Sequence, residues 1–466
     1  MNESEMSAST SRRQFIKNTP PLVTAATALA GVTLPNVHAA GSDQINVAVI
    51  GCGGRGAGAA SNAMQQSGSP KLVAMADIFE NRLNTAYEVL QRKHAAQMDV
   101  PADRKFIGFD AYKHAMDCLK KGDVAIFTTP LAFRWVHFKY AIEKGLHVFM
   151  EKPLTADGPT SRRMLKLAEE ASAKNLKVGV GLKSRHSRAM QELHQRIQDG
   201  EIGDLVLMRG YRMQNPIGSA FSTKWPGQPS ELLWQIQRFH SFLWASGGAY
   251  SDFNIHIIDH LCWMKNAWPV KAHSIGGKHY KLASDGQPFV DQNFDSYSTE
   301  YTFADGAKMY MDGRCMAGAA PIYSSYAHGT KGMAIVSKQS DCARPSSTYR
   351  TQNPGPESQI WKSKENRDGS VDDPFNNEWA DLLEAIRQDK PFNEAANGVY
   401  ASAVTSLGRF SAHTGQEVTL EAFLNHEHEY APDVDKMTFD SPAPLQTGKD
   451  GKYPIPEPGI KKDREF

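Results

Sequence analysis

The sequence predicts an α/β fold class in two parts, an N-terminal parallel-sheet domain and a C-terminal α+β domain with a large, mostly antiparallel open sheet. Three observations predict it. From Asn46 onward, short β-branched runs alternate with helical patterns, as a parallel βαβ series requires. A glycine cluster follows the first of those runs directly. After about Arg188 the rhythm changes to alternating, half-buried strands punctuated by separate helices, which suits an α+β domain. A chain of 466 residues is long enough for two domains, because single hydrophobic cores stop growing near about 250–300 residues.

Taken in order, Asn46–Ile50 reads as a buried strand, Ala57–Gln66 as a helix and Lys71–Ala76 as the second strand. Glu80–His94 is helical by spacing and length, and Val124–Thr128 is a strand ended by Thr129-Pro130. Arg134–Lys144 is a helix closed by Gly145 as its C-cap, His147–Met150 a strand, Ser161–Ala173 a helix and Lys177–Gly181 a last short strand. In the second part, strands are expected over Leu205–Met213, Ala272–His279, Ser296–Phe303, Lys308–Cys315 and Gly332–Ser337. Helices are expected over Ser187–Asp199, Ser251–Met264 and Asn376–Gln388. These place the domains at 44–183 and 184–431, followed by an extended surface tail over 432–466 that is rich in Pro, Gly and Lys. Segments 214–246 and 343–372 read as long loops, and the first, with its aromatic content, is expected to cover a functional site.

Residues 1–39 stand apart. Ser11-Arg-Arg-Gln-Phe-Ile-Lys17 has a twin-arginine pattern, an alanine-rich stretch follows from Pro20 to Leu34, and Val37-His-Ala39 offers small residues for cleavage. The apolar stretch is too short and weak for a membrane span. A twin-arginine signal peptide is therefore expected, with export of an already folded, bacterial protein to the periplasm or beyond. The formal charge of +1, from 52 basic and 51 acidic residues, leaves no electrostatic footprint for nucleic acid or an anionic membrane. The five cysteines are scattered and form no CxxC pair, which argues against a cysteine-type zinc site and a disulfide framework.

Gly51, Gly53 and Gly56 follow a predicted strand and open a predicted helix, the context a G-x-G-x-x-G motif needs. There the glycines permit a tight turn, close approach of a pyrophosphate and close helix packing, while the helix N-terminus attracts the phosphates. The first domain thus reads as a Rossmann dinucleotide-binding domain. Asp77, ending the second strand, suits the adenosine ribose hydroxyls and repels a 2′-phosphate, favouring NAD; nearby Arg55 and Arg82 keep NADP possible. Ligands bind at the carboxyl ends of parallel strands. Those ends hold Asp77, Thr129, Pro130 and Glu151-Lys152-Pro153, so the cofactor-binding candidates are Gly51, Gly53, Gly54, Arg55, Gly56, Asp77, Thr129, Pro130, Glu151 and Lys152.

Lys152 directly follows a buried strand. A cation there can hold a substrate hydroxyl and stabilise developing alkoxide, or be an ordinary strand-end lysine. In Gly247-Gly-Ala-Tyr-Ser-Asp252-Phe-Asn-Ile-His256-Ile-Ile-Asp259-His260, Ser251 reads as an N-cap, and Asp252 and His256 lie four apart on one helical face. That pair suits a general base with its orienting carboxylate. Positions 252, 256 and 260 are also metal-ligand types, and a helix-capping aspartate beside a buried histidine is the structural alternative.

Together these segments resemble the Gfo/Idh/MocA oxidoreductases: the strand and glycine cluster, Thr128-Thr-Pro130, Gly145-Leu-His-Val148, Glu151-Lys152-Pro153 and Asp252-x-x-x-His256-x-x-Asp259. The likeness continues through Gly200-Glu-Ile-Gly203, Gly329-Thr-Lys-Gly332 and Glu378–Thr419. The resemblance implies nicotinamide chemistry on sugars, cyclitols or polyols, and oligomer contacts through the open C-terminal sheet. It implies that Lys152, Asp252 and His256 are catalytic, with His256 taking the hydroxyl proton, Asp252 tuning it and Lys152 positioning the oxygen; the division between Lys152 and His256 varies in the family. No metal is expected. Arg185, Trp234, Arg238 and Trp244 are weaker substrate-contact candidates. A related subgroup, the α-N-acetylgalactosaminidases, cleaves glycosides by transient oxidation, but its Gly-Asn-Leu-Tyr-Pro-Thr-His-Gly stretch differs from Gly248-Ala-Tyr-Ser-Asp-Phe-Asn-Ile-His256.

Free nicotinamide cofactor should be scarce outside the cytoplasm, so an exported protein is expected to carry its dinucleotide with it and regenerate it in place. The leading expectation is an oxidoreductase acting on a hydroxyl of a sugar, glycoside or polyol. The alternatives are a redox-neutral glycoside hydrolase or epimerase and a non-catalytic sugar-binding protein.

Overall fold

The computed structural model describes residues 44–366, 369–449 and 452–466; the expected signal peptide lies outside them. The first half alternates β1 (Asn46–Ile50), α1 (Gly54–Met64), β2 (Lys71–Asp77), α2 (Glu80–Lys93), β3 (Lys105–Ile107), α3 (Ala111–Asp117), β4 (Val124–Phe127), α4 (Arg134–Lys144), β5 (His147–Met150), α5 (Gly158–Ala173) and β6 (Val178–Val180). The strands form one sheet in the order β3-β2-β1-β4-β5-β6, with every pairing parallel. The order reverses between β1 and β4, which opens a crevice at their carboxyl ends. Because both faces are covered, β1 and β4 are buried almost throughout, which is why they read as continuous apolar runs rather than alternating ones. As expected, Gly145 closes α4 in the left-handed region, at φ +69°.

The second half runs α6 (Arg188–Gln198), β7 (Leu205–Gln214), α7 (Glu231–Gln237), α8 (Leu243–Ser246), α9 (Gly248–Lys265), β8 (Lys271–Gly277), β9 (Ser296–Thr302), β10 (Lys308–Cys315), β11 (Ile322–Gly329), β12 (Met333–Lys338), β13 (Ser347–Tyr349), β14 (Gln359–Lys362), α10 (Pro374–Arg387), α11 (Ala395–Thr414), β15 (Val418–Thr419) and α12 (Leu420–Leu424). Its nine strands order as β14-β13-β12-β11-β7-β10-β9-β8-β15, antiparallel except where β7 meets β10. Side chains of α6, α9 and α11 fill one face of this sheet, where Met190, Leu261 and Leu407 meet Met309, Met311 and Tyr301.

Two expectations change. First, α10 does not cover the sheet of its own half: Trp379, Leu382 and Leu383 pack with Val49, Ile126 and Phe149 of the parallel sheet, beside α1 and α2. The backbone of Phe392 then accepts from Val178 at 2.8 Å. The first domain is thus completed by residues far along the chain, beyond the 44–183 boundary. Second, residues 432–466 are not an extended surface tail. Ala443, Leu445, Tyr453 and Glu465 are buried, and Gln235 Nε2 donates to the Leu445 carbonyl at 2.8 Å. The polar composition hides a few anchors that give the segment its place.

Candidate active site

A cleft of about 750 Å³ opens at the carboxyl ends of the parallel strands, within the range of small-ligand sites. Gly51 holds φ +94°, and a Cβ there would meet Thr129 N at 2.7 Å; a Cβ on Gly56 would sit 1.9 Å from the Gly51 carbonyl. By contrast, a Cβ on Gly53 or Gly54 would meet nothing within 4 Å, so the loop leaves open space where a ligand backbone approaches. The start of α1 has no side-chain cap and no acidic residue in its first turn. Its amide hydrogens and partial positive charge are left for an anion, as a pyrophosphate requires. Asp77 lines the same cleft and accepts from Cys52 N–H at 2.6 Å and Phe79 N–H at 2.9 Å. Burial raises its carboxyl, while those amides and Arg82 oppose the rise. A dinucleotide fits this donor set: the glycine loop would hold the pyrophosphate and Asp77 the ribose.

Every expected cofactor-binding residue lines the cleft, and so do Lys152, Asp252 and His256. Arg55, however, turns away from Asp77: it pairs with Glu151 at 2.5 Å and lies 4.7 Å over the Phe375 ring of α10. Burial, reinforced by Glu151, raises Glu378 behind them well above the usual carboxyl range.

The α9 helix begins at Gly248, preceded by Gly247 at φ +72°. Ser251 is therefore not its N-cap; it lies inside the helix and accepts from Arg409 Nη1 at 2.8 Å. Asp252 and His256 face the cleft but answer to different partners. Lys152 Nζ donates to the Asp252 carbonyl at 2.8 Å and to its Oδ1 at 3.2 Å. The Asp252 Oδ2 lies 3.3 Å from His240 Nε2. Ser219 N–H donates to His240 Nδ1 at 3.3 Å, which puts the imidazole proton on Nε2, facing Asp252. Burial would raise the Asp252 carboxyl, but Lys152 and His240 overrule it and hold it well below the usual carboxylate range. His256 instead places Nδ1 3.9 Å from Asp341 Oδ2, and Asp341 is held by Lys183 Nζ at 3.0 Å. Burial, then Lys152, drives the His256 imidazole well below its ordinary value. That disfavours its protonated form. His260, the third residue of the metal-ligand alternative, turns to the sheet and bonds Ser325 Oγ at 2.7 Å.

The segment over 214–246 is not loop throughout, since it carries α7 and α8, but it does reach the site, contributing Ile236, Phe239, His240 and Ser246 to the wall. The four substrate-contact candidates do not line it. Arg185 pairs with Asp259 at 2.8 Å; Arg238 donates to Ser222 Oγ at 2.7 Å. Trp234 stacks on Tyr453 at 6.5 Å, and Trp244 Nε1 donates to Gln235 Oε1 at 2.8 Å. Their rings secure the loop rather than a ligand. His240, Lys183 and Asp341 are the site residues that the motifs missed. Lys183 follows β6 closely, so the rule about strand ends pointed there; Asp341 carried no local signal.

Residues 45–181 match GFO_IDH_MocA, the oxidoreductase family with an NAD-binding Rossmann fold. The match spans the parallel-sheet half and its glycine loop. The chain is 26% identical over 133 residues to an inositol 2-dehydrogenase of Corynebacterium glutamicum, covering 28% of this chain and 37% of that one. It is 30% identical over 120 residues to a levoglucosan dehydrogenase of Pseudarthrobacter phenanthrenivorans, covering 26% and 27%. These matches span well under half of either relative. The fold is shared with an aldose-aldose oxidoreductase of Caulobacter crescentus, at TM-score 0.58 and 16% identity over 81% of this chain and 99% of that one.

Proposed function

We propose that this chain is an NAD-dependent oxidoreductase acting on a hydroxyl of a sugar, glycoside or polyol. The observation that carries the reading is the convergence of Lys152 and His256, two groups of opposite proton demand, on the end of a dinucleotide cleft. A bound nicotinamide supplies the hydride acceptor. Neutral His256 accepts the hydroxyl proton, while Lys152, fixed by Asp252, donates to the same oxygen and stabilises its developing negative charge. His240 holds Asp252 from the other side, so the lysine is seated before substrate arrives. The inositol and levoglucosan dehydrogenases among the relatives support the polyol and sugar class.

The expected twin-arginine signal supports a periplasmic enzyme that keeps its dinucleotide and regenerates it in place, by alternating an oxidisable with a reducible substrate. The name of the Caulobacter aldose-aldose oxidoreductase describes such a pairing in a protein of the same fold. The same signal favours a second reading, in which one glycoside is oxidised, cleaved or epimerised and then reduced back. Denaturing protein purified from its native compartment should release dinucleotide in near-stoichiometric amount; none would sink the retained-cofactor reading. Incubation with chromogenic glycosides, inositol and levoglucosan then separates the two: aglycone released without net NADH selects the second. Lys152→Ala and His256→Ala should each lower turnover per bound dinucleotide by about 10²–10⁴-fold, and full activity in both would refute the site. The face of the nine-stranded sheet away from its helices exposes Ile275 and Tyr310 and is proposed as a homo-oligomer contact, which light scattering would test.

A further inference from the structure

We propose that Asp341, and not Asp252, is the positioning carboxylate of His256, with Lys183 holding Asp341 in that role. The inference rests on the reading of His256 as the base. Asp252 has both carboxylate oxygens committed, Oδ1 to Lys152 and Oδ2 to His240. Its four-residue spacing from His256 places the two on one helical face without making them partners. His256 Nδ1 is buried and has no hydrogen-bond partner among the described residues, and the carboxylate facing it is Asp341, at 3.9 Å. Asp341 is itself 5% exposed and follows β12. Lys183 Nζ reaches both of its oxygens, at 3.2 and 3.0 Å, while stacking 4.5 Å over Phe375 at the cleft wall.

The arrangement fixes a tautomer. A carboxylate can only accept, so the proton of neutral His256 belongs on Nδ1, facing Asp341, and Nε2 presents its lone pair to the cleft. When the substrate O–H proton moves to Nε2, the C–H hydride leaves for the nicotinamide and the carbon–oxygen double bond forms. The imidazolium so produced meets Lys152 from the end of β5, Lys183 from the turn after β6 and Arg212 from β7, all of which oppose it. Asp341 is the counter-charge that makes this cation tolerable. Tyr323 of β11 completes the surroundings, 3.6 Å beneath the Arg212 guanidinium and within reach of Asp341. The chain thus splits its two acid–base groups between two carboxylates, one for Lys152 and one for His256.

The first test uses the unaltered holoenzyme. Nitrogen NMR of the histidine rings, with the His256 signals identified by their loss in His256→Gln, should show Nδ1 protonated at neutral pH; protonation at Nε2 overturns the proposal. The second is kinetic, with reduction of the bound cofactor by inositol or levoglucosan, and with bound dinucleotide measured in every variant. Asp341→Asn should lower kcat by about 10-fold or more, leave KM within about threefold, and move the acidic limb of the kcat profile to lower pH, because an unopposed imidazolium is harder to form. Asp341→Glu should recover part of the rate. If His256→Ala abolishes turnover while Asp341→Asn keeps the wild-type rate and pH profile, the assignment of Asp341 fails and the reading of the site stands. If His256→Ala leaves turnover intact, both fall.

Discussion

Asp77 reaches back under the glycine loop as well as outward to the cleft, since its two oxygens already accept from Cys52 and Phe79 amides. Each oxygen keeps a further lone pair for a ribose hydroxyl. Asp77→Ser is therefore expected to weaken NAD binding by about 10-fold or more and to narrow its preference over NADP, with Arg82 then free to meet a 2′-phosphate; fluorescence titration of refilled protein measures both. Unchanged selectivity would exclude Asp77 as the discriminating residue. At this scale the dinucleotide cleft was legible because its residues are held by one local geometry, strand, turn and helix. Lys152 and His256 were legible for a similar reason, being fixed to a strand end and a helix face. The partnership of His256 was not. Asp341 lies on a turn after β12, and its approach depends on the register of a sheet assembled from distant segments. Spacing along α9 pointed to Asp252 because spacing reports neighbours on a helix and says nothing of what the rest of the fold places opposite.

Helix α10 shows the same distinction between elements. Its apolar stripe announced a helix that buries one face, but not which sheet receives it. Trp379, fully buried, stacks on Phe149 of β5 at 4.6 Å, one residue pair from the Glu151-Lys152 strand end. Trp379→Ala should cost about 3–5 kcal/mol in urea unfolding, because the cavity would open against a rigid parallel sheet; a loss below about 1 kcal/mol would show that α10 is a loosely held cover. Two other elements escaped the pattern for opposite reasons. The α11 helix is buried nearly all round and has no polar face to set its period. The β11 strand, central to the larger sheet, turns Ser325 inward, where it bonds His260 and Ser337, so a polar sequence stands where an apolar one is expected.

Across the molecule, ion pairs join segments that the motifs treat as separate. His186, after β6, lies 2.7 Å from Asp381 and 3.0 Å from Glu394. Burial alone would lower its imidazole, but the two carboxylates raise it from 6.5 to about 10. A group raised on folding stabilises fully below its unfolded value and loses that contribution as pH climbs through its folded one. The stability gap between wild type and His186→Gln should hence be greatest below about pH 6.5 and close by about pH 10; a gap that widens with alkali would contradict the charged pair. Arg409, fully buried, takes Glu465 in two bonds of 2.8 Å and holds the carbonyls of Gly247 and Ala156 at the same distance. Glu465→Ala would strand that guanidinium and should lower unfolding free energy by about 3–5 kcal/mol; a near-neutral effect would mean that another anion replaces it.

The Arg409 bonds to Gly247 and Ser251 grip the very start of α9, which carries Asp252 and His256. Their counter-ion is residue 465, so the grip cannot close on a ribosome that has not yet released that stretch of chain. The sheet beneath the dinucleotide cleft is itself finished only by Trp379, Leu382 and Leu383 of α10, yet those residues emerge well before Glu465. Biosynthesis thereby imposes a sequence of events: the cleft can be completed before the start of α9 is gripped.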